Sequence, residues 1–197
     1  LIMETFQQKI NKYKIPYIDY KNIGWKQRIG SGVNGDVYNG ILQDNTPVIL
    51  KIYCLDDYYN ENHFYEDATD ELYNYSLLKG LFHCCELYGY SYSIENDTKE
   101  IYLVMKDYGV VGNIYDYLSE FKYWTTFEKR EINENEYSHV YDGVYNHYHL
   151  NRDTKIKITY AICDAIKELH EHNIVHCDLK LQNMLYDSKE NLVTLID

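Results

Sequence analysis

The chain has 197 residues, 45% hydrophobic and 25% charged, an ordinary globular balance that excludes wholesale disorder and allows one domain or two small lobes. Its net charge of -12 repels a phosphate backbone and speaks against nucleic-acid binding. Five cysteines without C-x-x-C spacing, and no apolar run near the ~20 residues of a membrane helix, lead to the expectation of a cytoplasmic protein with reduced thiols and no membrane partner.

Residues 1–24 are rich in Lys, Gln and Tyr and read as an N-terminal extension. From Trp25 the pattern is strand, glycine turn, strand, turn and strand: Trp25 to Ser31, Val37 to Leu42 and Val48 to Tyr53, with Gln43 to Pro47 as the second turn. This is an antiparallel meander. A helix is predicted from about Asp67 to Leu81, where Leu72, Tyr75, Leu78 and Leu81 recur on one face. Two more strands, Leu87 to Ile94 and Ile101 to Lys106, complete a small α+β lobe over residues 25–108.

The second part, residues 109–197, opens with Gly109 and Gly112 around two valines, followed by a short helical pattern from Ile114 to Leu118. Residues 120–150 are charged, Tyr-rich and non-periodic, and read as a surface insertion. Ile158, Ile162, Ile166 and Leu169 then predict one apolar face of a long helix. Met184 to Tyr186 and Leu192 to Ile196 predict a hairpin around the turn Asp187 to Asn191. The 24 tyrosines are scattered without a repeat, which fits compositional bias better than a stacking platform.

Three segments carry chemistry. Gly30-Ser31-Gly32-Val33-Asn34-Gly35-Asp36-Val37 fits G-x-G-x-x-G-x-V between two strands, where glycines let backbone N–H groups approach phosphate oxygens. A strand rather than a helix follows, which disfavours a dinucleotide-binding βαβ unit. Lys51 ends Val48-Ile49-Leu50-Lys51, one hairpin later, and Glu71 on the following helix can supply a carboxylate to pair with it; Glu66, Asp67 and Asp70 are neighbouring candidates. The third segment is Ile174-Val175-His176-Cys177-Asp178-Leu179-Lys180-Leu181-Gln182-Asn183-Met184-Leu185-Tyr186.

In this order the segments resemble a eukaryotic-type protein kinase of the Ser/Thr class, and the resemblance runs from Trp25 to Asp197. The third segment is similar to the catalytic loop H-R-D-L-K-x-x-N, departing from it only at Cys177. The resemblance implies a two-lobed fold, with a five-stranded antiparallel N-lobe carrying one helix and an incomplete, mainly helical C-lobe. It also implies ATP and Mg2+ as cofactors and transfer of the γ-phosphoryl group to hydroxyls of a protein substrate. Carried over by position, Asp178 accepts the hydroxyl proton, Lys180 stabilises phosphoryl charge, and Lys51 with Glu71 holds the nucleotide phosphates. The nucleotide-binding positions are Ile29, Gly30, Gly32, Gly35, Val37, Ile49, Lys51, the gatekeeper Met105, the hinge residues Lys106, Asp107 and Tyr108, and Asn113 near the ribose. Asn183 and Asp197 are the metal ligands, and Lys180 two residues after the base is what resembles the Ser/Thr class. Leu195-Ile196-Asp197 is similar to the strand entering D-F-G, so the expectation is a catalytic-domain fragment that is inactive by itself.

Two departures qualify that picture. Cys177 replaces an arginine that binds an activation-loop phosphate in many kinases, and a thiol supplies no bidentate cation. Ile49 replaces the usual alanine and, two residues before Lys51 on a strand, faces the same side, where its branched side chain would narrow the adenine slot. Two alternatives stay open: a small-molecule phosphotransferase of the aminoglycoside or choline type, and a non-catalytic pseudokinase or decoy.

Overall fold

The computed structural model describes all residues except 1, 33–34, 56–59, 96–97, 110–111, 120–121, 126–144, 149 and 197, with backbone only at 2–4, 25–26, 31–32, 95, 122–125 and 145–148. It divides into two units, Leu1–Gly109 and Val110–Asp197.

The first unit opens with a helix not expected from the sequence reading above: α1, Ile2–Lys12. Among its residues whose side chains are described, Phe6 and Ile10 lie one turn apart on one face, and both are buried. The Phe6 ring lies 5.3 Å from Tyr65 and 6.0 Å from Tyr90. The following segment runs along the sheet edge, with the Ile18 amide donating to the Tyr90 carbonyl at 2.8 Å and the Tyr90 amide to the Pro16 carbonyl at 2.9 Å. Within the stretch read as an N-terminal extension, Phe6, Ile10 and Ile15 are thus buried in the first unit.

Five strands follow: β1 (Ile23–Gly32), β2 (Gly35–Leu42), β3 (Pro47–Cys54), β4 (Leu87–Glu95) and β5 (Thr98–Lys106), with helix α2 (Glu61–Leu77) between β3 and β4. They form one antiparallel sheet in the order β1-β2-β3-β5-β4, so β3 lies between two neighbours. Alternation along β3 sends Val48, Leu50 and Ile52 into one core with Ile23, Tyr102 and Val104. It sends Ile49, Lys51 and Tyr53 to the opposite face, towards α2. That helix starts six residues earlier than the predicted Asp67, because Asn60 caps it, its side chain accepting from the His63 amide at 2.9 Å. Its buried stripe is Phe64, Ala68, Leu72 and Tyr75, joined by Tyr65 and Thr69. Leu78, expected inside the apolar face, is the half-buried C-cap, and Leu81 lies beyond the helix.

The second unit contains α3 (Ile114–Ser119), β6 (Lys122–Thr125), β7 (Tyr145–Tyr148), α4 (Arg152–Glu171), β8 (Met184–Asp187) and β9 (Leu192–Leu195). Within the stretch expected to be a surface insertion over 120–150, β6 pairs antiparallel with β7 from Lys122↔Tyr148 to Thr125↔Tyr145. Aperiodic Tyr-rich strands four residues long give too few alternations to register as a pattern. On α4 the buried residues are Ile158, Ala161, Ala165 and Leu169, while Ile162 and Ile166 are half-buried at the border of that stripe. The large aliphatics predicted the helix but placed its buried face slightly off. The helix packs on β9, whose Val193 and Leu195 are buried with Met184 and Tyr186 of β8. Among the described residues, no helix is long and apolar enough to cross a membrane.

Candidate active site

In the first unit, Lys51 sits on β3 opposite Val37 of β2 and Leu103 of β5, a position that buries its stem. Its Nζ lies 2.9 Å from Glu71 Oε1, with both side chains largely withdrawn from water. Glu66, Asp67 and Asp70 are exposed, so the geometry selects Glu71 among the four acidic candidates. Glu71 also accepts, on Oε2, a hydrogen bond from the hydroxyl of Tyr53, a fully buried residue that motif reasoning passed over. The strand period of two could have found it, because Tyr53 is the next residue after Lys51 on the same face.

The glycine segment forms the β1–β2 end, with Gly30 opposite Val37 and Gly32 opposite Gly35; residues 33–34 lie outside the described residues. Gly35 has φ +139°, and a Cβ there would lie 2.2 Å from the Ile52 carbonyl oxygen. At Gly30 the nearest atom to a Cβ would be Val37 Cβ at 3.8 Å, an ordinary contact. Gly35 is thus required by the fold, and Gly30 is not. Ile29 stands at a register shift between Arg28 and Gly30 and is exposed. Ile49 is half-buried and register-paired with Asn39 and with the buried Met105.

The expected hinge residues are tied to the segment before β4. Lys106 Nζ is 3.6 Å from the Glu86 carboxylate and 5.1 Å from the Tyr108 ring centroid. The Tyr108 hydroxyl donates to the Cys84 carbonyl at 3.2 Å and accepts from the Glu86 amide at 3.1 Å, and burial pushes its pKa up to about 12. Asp107 Oδ1 accepts from the Gly109 amide at 2.8 Å.

In the second unit, Asn113 caps α3: its Oδ1 accepts from the Asp116 amide at 3.0 Å, so its side chain already has a structural partner. The loop between α4 and β8 gathers the other predicted residues. Asp178 Oδ2 accepts from Lys180 Nζ at 2.8 Å and from Asn183 Nδ2 at 3.0 Å, and Asn183 Nδ2 also donates to the Asp178 carbonyl at 3.1 Å. The Lys180 hydrogen bond, first among the causes, holds the Asp178 carboxyl below its usual range. Asn183 is buried at the end of a short 3₁₀ turn, Leu181–Asn183, and its carbonyl accepts from the Ile196 amide at 3.0 Å. Because the Asn183 NH2 is committed to Asp178, its amide oxygen is the atom that faces away and could meet a cation. Cys177, beside the aspartate, has φ +66° and an exposed thiol. Asp197, the second expected metal ligand, lies outside the described residues.

Residues 24–197 match the protein kinase domain family. The chain belongs to that family. Over short matches the chain is similar to Ser/Thr kinases: 44% identity over 36 residues with serine/threonine-protein kinase VHS1 of Saccharomyces cerevisiae, and 49% over 35 residues with serine/threonine-protein kinase 1 of Lymantria dispar multicapsid nuclear polyhedrosis virus. Each match covers 18% of this chain and only 8% and 13% of those relatives. As a protein kinase domain, the chain holds a paired lysine and glutamate in its first unit, and an aspartate braced by a lysine and an asparagine in its second.

Proposed function

We propose that this protein is a Ser/Thr protein kinase that transfers the γ-phosphoryl group of ATP to hydroxyl groups of protein substrates, with Mg2+ as cofactor. The observation that carries the reading is the Asp178 carboxylate, exposed to an incoming hydroxyl yet held on one oxygen by both Lys180 and Asn183. That bracing leaves Oδ1 to take the hydroxyl proton in a fixed direction. Lys180 stands ready to offset negative charge developing beside the base. Lys51, held by Glu71, presents a fixed ammonium to nucleotide phosphates, and Gly30, where the fold itself tolerates a side chain, keeps the backbone open to them.

Asn183, through its amide oxygen, and Asp197 would hold the metal. Mg2+·ATP supplies the electrophilic phosphorus and a charge-neutralised leaving group. Ile29, Gly32, Gly35, Val37, Ile49, Met105, Lys106, Asp107, Tyr108 and Asn113 are the further nucleotide-binding positions of the proposal. The five free thiols support a reducing, cytoplasmic setting.

The test is phosphoryl transfer from labelled ATP by the intact protein to Ser/Thr peptides, tyrosine peptides, aminoglycosides and choline. Transfer to Ser/Thr peptides that Asp178→Asn lowers by about a hundredfold or more supports the reading. Transfer to a small molecule alone, or to no acceptor, overturns it.

A further inference from the structure

We propose that Tyr53 is a positioning residue that acts through Glu71 to hold Lys51 for nucleotide binding, an inference that rests on the kinase reading for its catalytic consequence. Strand β3 supplies both donors to one carboxylate: Lys51 Nζ meets Oε1, and the Tyr53 hydroxyl meets Oε2. The two donors are two residues apart on an inner strand, so they share a face and a rigid backbone. Helix α2 supplies only the acceptor.

One donor on each oxygen fixes the plane of the Glu71 carboxylate. A lysine by itself leaves a carboxylate free to rotate about its last bond and to exchange which oxygen it offers. With Tyr53 engaged, any rotation or retreat of α2 that frees Oε1 also strips the partner from a fully buried hydroxyl. The Tyr53 ring adds to this, standing 5.9 Å from Lys51 Nζ and so closing one side of the ammonium. The paired arrangement is thereby favoured before any nucleotide arrives.

A buried tyrosine needs a hydrogen-bond partner for its own sake, and that role alone would make Tyr53→Phe a stability variant only. Positioning through Glu71 predicts something more specific: loss of the hydroxyl changes the chemistry of Lys51, and only while Glu71 is present. A double-mutant cycle with Tyr53→Phe and Glu71→Ala separates the two.

The primary readout needs no catalysis. In the intact protein without nucleotide, brief labelling with acetic anhydride is read by mass spectrometry at Lys51, with the exposed Lys157 and Lys189 as internal references. Glu71 pairs with the Lys51 amine at 2.9 Å and shields it from reagent. Tyr53→Phe is therefore expected to speed Lys51 labelling by about three- to tenfold in the Glu71 background, the scale of one ordinary net hydrogen bond, and to leave it unchanged in Glu71→Ala. Equal labelling of wild type and Tyr53→Phe, or the same acceleration in both backgrounds, overturns the proposal. The second readout is peptide phosphorylation, where Tyr53→Phe should lower kcat by about tenfold with a smaller change in KM for ATP, again only when Glu71 is present. A labelling cycle as expected with no transfer by wild type would sink the kinase reading and leave Tyr53 as the residue that fixes Glu71.

Discussion

Lys51 on β3 and Glu71 on α2 form an ion pair of 2.9 Å with little solvent around either group. Removing one member leaves the other partly desolvated, and the cost of breaking such a pair is ~3–5 kcal/mol when burial is complete. Residual exposure and the Tyr53 donor to Glu71 soften that here. Lys51→Met is expected to abolish phosphoryl transfer and also to lower stability by ~1–3 kcal/mol. Chemical denaturation of Lys51→Met and of Lys51→Met with Glu71→Gln checks this: the second change should restore part of the stability and none of the activity. A single variant with wild-type kcat would remove Lys51 from the site.

The bracing of Asp178 gives a pH prediction with a definite sign. The carboxyl is held below its usual range chiefly by Lys180, so the base stays ionised as pH falls through the ordinary carboxylate range. Deleting Lys180 lets the carboxyl return upward, so the acid side of the activity profile should move to higher pH. For Lys180→Met, kcat/KM measured from about pH 4 to about pH 8 should show a lower plateau and an acid limb shifted up. Asp178→Asn should cost ~10²–10⁴ in kcat while ATP affinity, read by titration calorimetry, stays close to wild type. An acid limb that does not move in Lys180→Met would mean that another group sets it.

Legibility in the sequence followed the strength of local chemistry. The loop around Asp178 was readable because Asp178, Lys180 and Asn183 act at a fixed spacing in one short segment, and the structure brings all three together. Glu71 was readable among four acids on a helix because Tyr75 and Leu78, at i+4 and i+7, continue its face into the apolar stripe, and the structure pairs it with Lys51. Tyr53 was invisible as a motif because a tyrosine at the end of an apolar strand has the composition of core. Helix α1 escaped because its Lys, Gln and Tyr content drew attention away from Ile2, Met3, Phe6 and Ile10, which recur at helical spacing. On α4, counting large aliphatics favoured Ile162 and Ile166 over the buried Ala161 and Ala165, whose small size hides them from any hydrophobic tally.

Burial of α1 means that the residues before β1 stabilise the helix that carries Glu71. Phe6 is almost fully buried between Tyr65 of α2 and Tyr90 of β4. Phe6→Ala should therefore cost ~3–5 kcal/mol, as for other core aromatics, and Ile10→Ala ~2–5 kcal/mol. The exchange rate of α2 amides should rise in both variants. A protein lacking residues 1–22 that keeps wild-type stability would show that α1 contributes nothing to the first unit.

The two outer glycines of the segment from Gly30 to Gly35 should separate when mutated, because one serves the chain and the other leaves room beyond it. At Gly35, φ +139° is costly for any residue with a Cβ, and that Cβ would stand 2.2 Å from the Ile52 carbonyl oxygen, a backbone atom in the inner strand β3 that has no side-chain freedom to yield. Either the β1–β2 end or the middle of β3 must shift, and Lys51 is next to Ile52. Gly35→Ala is expected to lower stability by ~1–3 kcal/mol and to impair activity as a result. Gly30 lacks both constraints, its nearest prospective neighbour being Val37 Cβ at 3.8 Å. Gly30→Ala should leave the thermal midpoint within a degree or two, about the scatter of neutral surface changes, because the strand accepts a methyl group there. If the open space at Gly30 admits phosphate oxygens to the backbone, the same methyl group should raise KM for ATP several-fold with kcat less affected. Thermal melts and steady-state kinetics on the two variants decide it: a Gly30→Ala protein with wild-type KM for ATP would mean that the glycine segment is a structural turn and that nucleotide phosphates, if bound, are held elsewhere.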